Sequence, residues 1–210
     1  MEGIQKIAVI GGGGRTGQYL VNQLLKKGYS LKLLLRHPEN FTIQNPQIEI
    51  VHGDVLNPDA VQTLLDGCDA VLSTAGQRQG EPLVASQASV NILNAIGDRP
   101  VRYVVLAGLN VDTPTDRKGE ETAKATEWMR TTFPTIHNDR QKSYAVLAES
   151  NAEWIMVRVP YIEFNGNRSE VKVSGVDSPG TKIDAADIAA FMIGQLADDT
   201  WLRKAPFISN

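Results

Sequence analysis

The stretch that decides the fold of this chain is KIAVI at residues 6–10, followed at once by GGGGRTG at residues 11–17. A short apolar run that ends in glycines is typical of a buried strand entering a tight turn. Residues 16–27 follow with apolar side chains at helical spacing, and Gly28 closes them. Strand, glycine turn and helix in this order predict the first unit of a β-α-β fold.

The same alternation continues along the rest of the sequence. Further strands are predicted at 31–35, 48–51, 70–73, 102–106 and 154–159, with a short strand at 171–173 and a final edge strand at 205–209. Further helices are predicted at 58–65, 82–96, 123–132, 139–150 and 185–196. These segments predict an α/β fold, a Rossmann-like doubly wound parallel sheet with helices on both faces. We expect one domain over residues 1–210, with a small substrate-side portion at about 160–185.

The composition excludes several classes of protein. The 210 residues are 42% hydrophobic and 21% charged, and the net charge of −3 gives no basic footprint for nucleic acid. The single cysteine, Cys68, excludes an internal disulfide and is expected to be a small buried residue. His37, His52 and His137 lack partners at metal-ligand spacing, so no metal site is expected. Without an apolar span of about 20 residues or a leader pattern, we expect a cytoplasmic protein that does not enter a membrane.

The glycine-rich turn carries the first candidate site. Read as G-x-x-G-x-x-G, it uses Gly11, Gly14 and Gly17. Glycine suits these positions because the chain turns sharply, the backbone approaches a pyrophosphate and the helix packs tightly on the strand. The free N–H groups and positive dipole at the start of the helix also favour phosphate. We therefore predict a dinucleotide site formed by Gly11, Gly13, Gly14, Arg15, Thr16 and Gly17.

The residue after the second strand indicates which dinucleotide binds. A carboxylate at this point would bind a ribose 2′-hydroxyl, but the sequence has Arg36. A guanidinium accommodates a 2′-phosphate, and Arg15 is placed to reach the same group. NADP is therefore the expected cofactor. The alternative is that Arg36 is a solvated residue at the end of a strand.

The residues after the third and fourth strands extend this site. Asp54, beside Val55, is a candidate to bind the adenine amino group, or alternatively to initiate the next helix. Ala75 and Gly76 are small enough for the backbone to lie against a ribose. Arg78 is a candidate to face the pyrophosphate or the substrate.

Four segments carry a family resemblance: GGGGRTG at 11–17, LLLR at 33–36, GDVL at 53–56 and WIMVRVP at 154–160. Together they resemble the NAD(P)H-binding, NmrA-like branch of the atypical short-chain dehydrogenases. Within that branch, the length and layout are similar to the biliverdin-IXβ reductase/flavin reductase group. The resemblance covers nearly the whole chain. It implies a Rossmann fold, NADPH, and hydride transfer to a planar acceptor such as a flavin, a quinone or a biliverdin-like molecule.

The sequence departs from the wider dehydrogenase pattern at the catalytic positions. The serine position after the fifth strand falls on Gly108, and the position of the helix tyrosine falls on Asn138. Lys142 stands where the branch carries a helix lysine. Lys142, Tyr144 and Tyr161 are the candidates for a catalytic role, and the usual carbonyl-reduction apparatus is absent.

The strand ends also predict where hydride transfer would occur. The nicotinamide is expected beside residues that follow strands four, five and six, namely Ala75, Gly108, Pro160 and Tyr161. Tyr161 is the candidate to stack on a planar acceptor, with a buried core role as the alternative. The polar run at 116–121 is expected to be a solvated loop, or else part of a lid over the nicotinamide.

Two functions follow from these residues. The first is an NADPH-dependent reductase of a planar small molecule, whose acceptor takes the hydride into its own π-system. The second is a non-catalytic NADP(H) sensor, which the missing serine and tyrosine favour. The oligomeric state is left open between a monomer and a homodimer.

Overall fold

The computed structural model of the chain describes residues 4–77 and 83–210. Its strands are β1 (Lys6–Ile10), β2 (Ser30–Leu35), β3 (Ile48–His52), β4 (Ala70–Ser73), β5 (Arg102–Gly108), β6 (Glu153–Val159), β7 (Tyr161–Glu163), β8 (Lys172–Ser174), β9 (Lys182–Asp184) and β10 (Phe207–Ser209). Its helices are α1 (Arg15–Lys26), α2 (Pro58–Leu65), α3 (Ala85–Ile96), α4 (Glu120–Thr132), α5 (Pro134–Glu149) and α6 (Ala185–Gly194).

The main sheet has the strand order β3-β2-β1-β4-β5-β6-β10-β8, and β7 pairs with β9 in a separate ribbon. All neighbouring pairs from β3 to β10 are parallel, whereas β8 runs antiparallel to β10. The chain moves outward from β1 to β3 on one side and then from β4 to β6 on the other. This reversal beside β1 is the switch point of a doubly wound fold, so the predicted fold class is confirmed.

Helices cover both faces of the sheet because successive strand side chains point to opposite faces. On one face, Ile7 and Val9 of β1 pack in a core with apolar residues of α1 and α6. On the other, Ala8 and Ile10 pack in a second core with residues of α2, α3 and α5. These strand residues are at most 3% exposed, which explains why the sequence of β1 is continuously apolar rather than alternating.

The structure differs from the sequence prediction at the carboxyl-terminal side. The predicted edge strand is wrong, because β10 lies inside the sheet between β6 and β8. The ribbon of β7 and β9 was not predicted, since each strand has three residues and too little periodicity. Helix α5 begins at Pro134 rather than near residue 139, because proline is well tolerated in the first turn of a helix. The predicted start of α3 at Pro82 lies outside the described residues.

The glycine turn fixes how closely α1 approaches β1. A Cβ atom on Gly17 would overlap the carbonyl oxygen of Gly11, and it would also lie 2.8 Å from the Cα of Gly12. Gly11 itself has a φ of +81°, in the left-handed region that favours glycine. The tight helix–strand packing therefore depends on glycine at positions 11 and 17.

Gly17→Ala is expected to destabilise the fold by about 1–3 kcal/mol or more, because its methyl group has no space above Gly11. The matched control is Gly194→Ala, also in a helix but with no atom within 4 Å of the added Cβ. That control should leave stability equal or improve it by about 0.5–1 kcal/mol. Chemical denaturation of both variants measures the difference. Equal stabilities would show that the contact at Gly17 is not a packing constraint.

Candidate functional site

A cavity of about 600 Å³ opens beyond the carboxyl ends of β1 to β4. Eleven of the sequence-predicted residues line it: Gly11, Gly13, Gly14, Arg15, Thr16, Gly17, Arg36, Asp54, Val55, Ala75 and Gly76. The carboxyl edge beside a switch point is where doubly wound sheets bind their ligands. We refer to this space as the first cavity.

The glycine turn forms an anion-binding corner of the first cavity. The N–H of Gly14 donates to the carbonyl of Gly11 at 2.9 Å, which closes the turn directly before α1. Gly14 is the N-cap of α1, but it provides no side-chain cap, and the first turn holds no acidic residue. The N–H groups of that turn are therefore available to a phosphate, which the helix dipole also attracts.

Gly13 leaves space for a ligand to approach the backbone. It is exposed and lines the first cavity, and the nearest atom to an added Cβ is a Leu35 methyl carbon at 3.6 Å. By contrast, an added Cβ on Gly14 would meet the Gly11 carbonyl oxygen at 3.2 Å. Gly13 is thus the glycine whose side chain would fill the cavity without disturbing the turn.

Two arginines contribute positive charge to the lining of the first cavity. The Arg15 guanidinium stacks on the ring of Phe164, 3.7 Å from its centroid. The guanidinium of Arg36 lies 4.0 Å from a carboxylate oxygen of Asp54. The other Asp54 oxygen accepts the N–H of Leu56 at 2.9 Å, so Asp54 also serves the turn that precedes α2. Asp54 therefore has the helix-initiating role that was its alternative, while it still faces the cavity.

An arginine that the sequence did not single out joins the ends of β4 and β5. The Arg140 guanidinium donates to the carbonyl of Ala75 at 3.0 Å and to that of Leu106 at 3.4 Å. Burial lowers the pKa of Arg140 from its ordinary value, and the neighbouring Asp139 opposes that shift. The side chain therefore fixes the backbone where the first cavity ends. Arg78, the arginine that was predicted, lies outside the described residues.

A second cavity of about 600 Å³ lies beyond the ends of β5 and β6. The predicted residues Gly108, Pro160 and Tyr161 line it, together with Trp128 and Met129 of α4. Tyr161 is 75% exposed, so the alternative of a buried core role is wrong. Volumes of about 300–1,000 Å³ with aromatic and apolar walls are usual for small-molecule sites.

A buried polar pair lies beside the second cavity, and one of its members lines that cavity. Asn110 lines the cavity and is 4% exposed, and its Nδ2 atom lies 3.2 Å from Nδ1 of His137. A Cβ atom added to Gly108 would lie 2.5 Å from Oδ1 of Asn110. The Asn110 carboxamide therefore occupies the space above Gly108. Sequence reasoning missed this pair, because Asn110 and His137 come from different elements and form no local motif.

The run at 116–121 is anchored at Asp116 and Lys118, whereas Arg117 and residues 119–121 are exposed as expected of a solvated segment. Both carboxylate oxygens of Asp116 bind the guanidinium of Arg158, which is fully buried and also stacks 3.5 Å from the centre of the Phe207 ring. Lys118 donates to the carbonyl of Val111 at 3.2 Å. The end of the run lines the second cavity from Gly119 onward, and the alternative of a lid over the nicotinamide stays a prediction.

Asp177 holds the start of α4 against the second cavity. Its carboxylate accepts the N–H of Gly119, the N-cap residue of α4, at 3.0 Å. Burial alone would raise the pKa of Asp177, but hydrogen bonds from Thr122, Gly119 and Ser178 outweigh burial and hold the pKa below its ordinary value. The wall of the cavity therefore carries a fixed negative charge.

Two catalytic candidates do not reach either cavity. Lys142 is exposed on α5, and Tyr144 packs edge-on against Trp154, 6.1 Å between ring centres, beside the second core. The reason is the phase of the helix, since the buried residues of α5 are His137, Asp139, Ser143 and Leu147. Lys142 lies on the outer face, and the geometry does not support a catalytic role for Lys142 or Tyr144.

Other chemistries find no support in the part of the chain that the structure describes. Residues 4–77 and 83–210 contain no cluster of three His, Cys, Asp or Glu side chains that could hold a metal ion. Cys68 is buried, its thiol donates to the carbonyl of Leu64 at 3.3 Å, and burial raises its pKa to about 11. No helix in these residues is long and apolar enough to cross a membrane.

Comparison with known proteins agrees with a nicotinamide-dinucleotide fold. Residues 11–199 match the family described as NAD(P)H-binding, and the chain belongs to that family. The glycine turn, the space at Gly13 and the two arginines of the first cavity fit this cofactor. The resemblance stated from the sequence is confirmed at the level of the family.

Curated relatives match only part of the chain. Cinnamoyl-CoA reductase 1 from Petunia hybrida is 27% identical over 113 residues, which are 48% of this chain and 34% of that protein. An isoflavone reductase homolog from Nicotiana glauca is 34% identical over 103 residues, which are 43% of this chain and 30% of that protein. The matched region is thus about a third of the length of these relatives.

Solved structures match nearly the whole chain. A short-chain dehydrogenase/reductase from Veillonella parvula in complex with NADP has a TM-score of 0.79 at 17% identity, covering 99% of this chain and 95% of that one. A protein from Streptococcus pneumoniae described as an NADH-flavin reductase has a TM-score of 0.77 at 19% identity, covering 98% and 99%. These likenesses confirm the Rossmann-like fold.

Gly13→Leu is expected to weaken NADP binding at least about 10-fold, or 1.4 kcal/mol, because the side chain would occupy the first cavity. The fold should be kept, since an added Cβ meets only an ordinary contact at Leu35. Titration calorimetry with NADP measures the loss, and Gly194→Leu is the control on an exposed helical glycine. If Gly13→Leu binds NADP with undiminished affinity, the pyrophosphate does not bind at the glycine turn.

Proposed function

We propose that the protein is an NADPH-dependent oxidoreductase that reduces a planar acceptor, such as a flavin, a quinone or a biliverdin-like molecule. The observation that carries this proposal is the second cavity, which follows β5 and β6 directly beside the strands of the dinucleotide cavity. Trp128, Met129 and Tyr161 offer flat or polarisable surfaces for a conjugated ring. Bound NADPH would supply a hydride to an acceptor in the second cavity.

The choice of NADP over NAD rests on the charge of the first cavity. Arg36 follows β2, where a carboxylate would favour a free ribose hydroxyl, and Arg15 also lines the first cavity. A dianionic 2′-phosphate gains charge-assisted hydrogen bonds from guanidinium groups. Asp54, 4.0 Å from Arg36, helps to hold that guanidinium at the cavity rather than competing with it for space.

The residues beside the proposed nicotinamide position supply binding rather than acid catalysis. We place that ring near Ala75 of the first cavity and near Gly108 and Pro160 of the second, because these residues follow the neighbouring strands β4, β5 and β6. Gly108 has no side chain, and Asn138 is exposed on α5 rather than facing the site. An oxyanion donor is worth about 10²–10³ in rate for a carbonyl substrate. Flavins and quinones delocalise the incoming charge, so they depend less on such a donor.

The charge of the second cavity narrows the class of acceptor. Glu120, Glu121 and Asp177 line it, whereas its described lining contains no lysine, arginine or histidine. Lys124 pairs with Glu120 on the exposed face of α4, which leaves Glu121 and Asp177 to set the local charge. Carboxylates repel anions, so uncharged rings such as riboflavin and quinones are favoured over FMN and over biliverdin with its propionates.

A redox sensor is the second candidate, because the positions of the family's serine and tyrosine hold Gly108 and Asn138. Such a protein would bind NADP(H) in the first cavity and use its surface to report the bound state. The largely apolar lining of the second cavity favours the reductase, since a sensor needs no site for a second small molecule.

Arg36→Ala is expected to weaken NADP binding by about 10- to 100-fold, because each charge-assisted hydrogen bond contributes about 1.5–3 kcal/mol. NAD, which lacks the 2′-phosphate, should bind almost as before. Calorimetry with both dinucleotides measures the ratio. Arg130→Ala, an exposed arginine on α4 outside both cavities, is the control. If NADP and NAD lose affinity equally, Arg36 serves the structure rather than the choice of cofactor.

The native protein is expected to oxidise NADPH with riboflavin or an uncharged quinone, more slowly with FMN and biliverdin, and negligibly with simple aldehydes and ketones. The physical reasons are the missing acid group and the carboxylates of the second cavity. A spectrophotometric assay over this panel, with NADH as the control, measures the rates. Rapid ketone reduction would contradict the proposal. Tight NADPH binding without oxidation by any acceptor would favour the sensor.

A further inference from the structure

The space above Gly108 is filled by another residue of the chain. Among the described atoms within 4 Å of an ideal Cβ on Gly108, the two nearest are Oδ1 of Asn110 at 2.5 Å and Cγ of Asn110 at 3.7 Å. A Cβ atom at position 108 would therefore collide with the Asn110 carboxamide, and outside its chain neighbours no other described atom lies within 4 Å of it. Glycine at position 108 leaves the space that the Asn110 carboxamide occupies, so the polar group at this point comes from position 110.

The carboxamide of Asn110 is held in place by α5. Its Nδ2 lies 3.2 Å from His137 Nδ1, and Asn110 and His137 are 4% and 6% exposed. With the imidazole nitrogen as acceptor, Nδ2 donates one hydrogen to His137. No other hydrogen bond to this carboxamide comes from residues 4–77 or 83–210. Oδ1 can therefore still accept a hydrogen bond, and the second Nδ2 hydrogen can still be donated to a ligand in the second cavity.

We propose that Asn110 binds the polar edge of the acceptor, in the place that a serine side chain at position 108 would otherwise take. The inference rests on the proposed function and specifies the ligand class. A primary amide accepts through its oxygen and donates through its nitrogen, so it pairs with a ring that carries a carbonyl beside an N–H. The isoalloxazine ring has such an imide edge, whereas a quinone offers carbonyl oxygens alone.

Hydrogen bonding explains why the pair is selective. A typical hydrogen bond contributes about 0.5–1.5 kcal/mol net, so a ligand that both accepts from and donates to the Asn110 amide is favoured over one that makes a single bond. His137 does not line the cavity and acts through Asn110, which makes it a positioning residue. The nicotinamide carboxamide of the cofactor has the same chemistry, and the test below separates the two sources.

The test compares lumiflavin with N3-methyl lumiflavin, in which a methyl group replaces the imide hydrogen, by equilibrium dialysis against the NADP⁺-loaded protein. The native protein should bind lumiflavin about 10-fold more tightly, the value of one to two hydrogen bonds. Asn110→Ala should reduce that ratio to near one, and His137→Phe, which keeps the ring volume but removes its nitrogens, should reduce it in part. Calorimetry with NADP⁺ and thermal unfolding check that each variant is folded.

A reciprocal pair of substitutions tests the shared space. Gly108→Ser alone should lower the melting temperature, because its Cβ collides with Asn110. Gly108→Ser combined with Asn110→Ala should regain that stability and restore lumiflavin affinity to within about 3-fold of native, because the hydroxyl enters the vacated volume. The double variant also provides a folded protein should Asn110→Ala alone unfold.

Four results would overturn the inference: no lumiflavin binding to the native protein, equal binding of the two flavins, an unchanged ratio in Asn110→Ala, or a loss of NADP⁺ affinity without a loss of lumiflavin. The last would assign the amide to the cofactor. Dialysis measures binding and requires no turnover. A failure of the proposed reductase activity can therefore be distinguished from a failure of the Asn110 site. If the protein selects lumiflavin through Asn110 but never oxidises NADPH, the binding site is supported and the reductase activity is contradicted.

Discussion

The first turn of α1 lies directly on the carbonyl group of Gly11, with Gly17 as the point of contact. Because neither position tolerates a side chain, the helix begins within one turn of the end of β1 and points its free N–H groups into the first cavity. The left-handed φ of Gly11 turns the chain there, and an added Cβ on Gly11 would also meet the backbone of Thr74 and Ala75. One close contact thus sets the distances between β1, β4 and α1, around which the dinucleotide site is arranged.

The second cavity depends on contacts of a different kind. Its α4 wall is held by Asp177, which follows β8, and the loop before α4 is held by the Asp116–Arg158 ion pair. A buried ion pair contributes little net stability, yet removing one partner is strongly destabilising, so it fixes one arrangement of the loop. The acceptor side is therefore assembled from segments more than 40 residues apart, whereas the phosphate corner comes from seven consecutive residues.

The contrast between a local glycine turn and a cavity built from distant segments explains which parts of the site could be predicted from the sequence. The glycine turn, Arg36 and the strand ends were predictable because each follows a strand whose apolar run marks it. Asn110, His137 and Arg140 were not, because their importance comes from the rotation of α5 against β4 and β5. The same rotation removes Lys142 from the site, although its position in the sequence matches the family pattern. The strand β10 was misplaced because strand order in a sheet is a tertiary property.

The buried thiol of Cys68 can report local unfolding of the core around it. The thiol is 4% exposed, bonded to the Leu64 carbonyl and kept protonated by burial between α2 and β4. As the chain has one cysteine, a thiol reagent can attack the folded protein only when this part of the core opens. The rate of alkylation in native buffer therefore measures local opening of the core around the start of β4, at a residue that lines neither cavity.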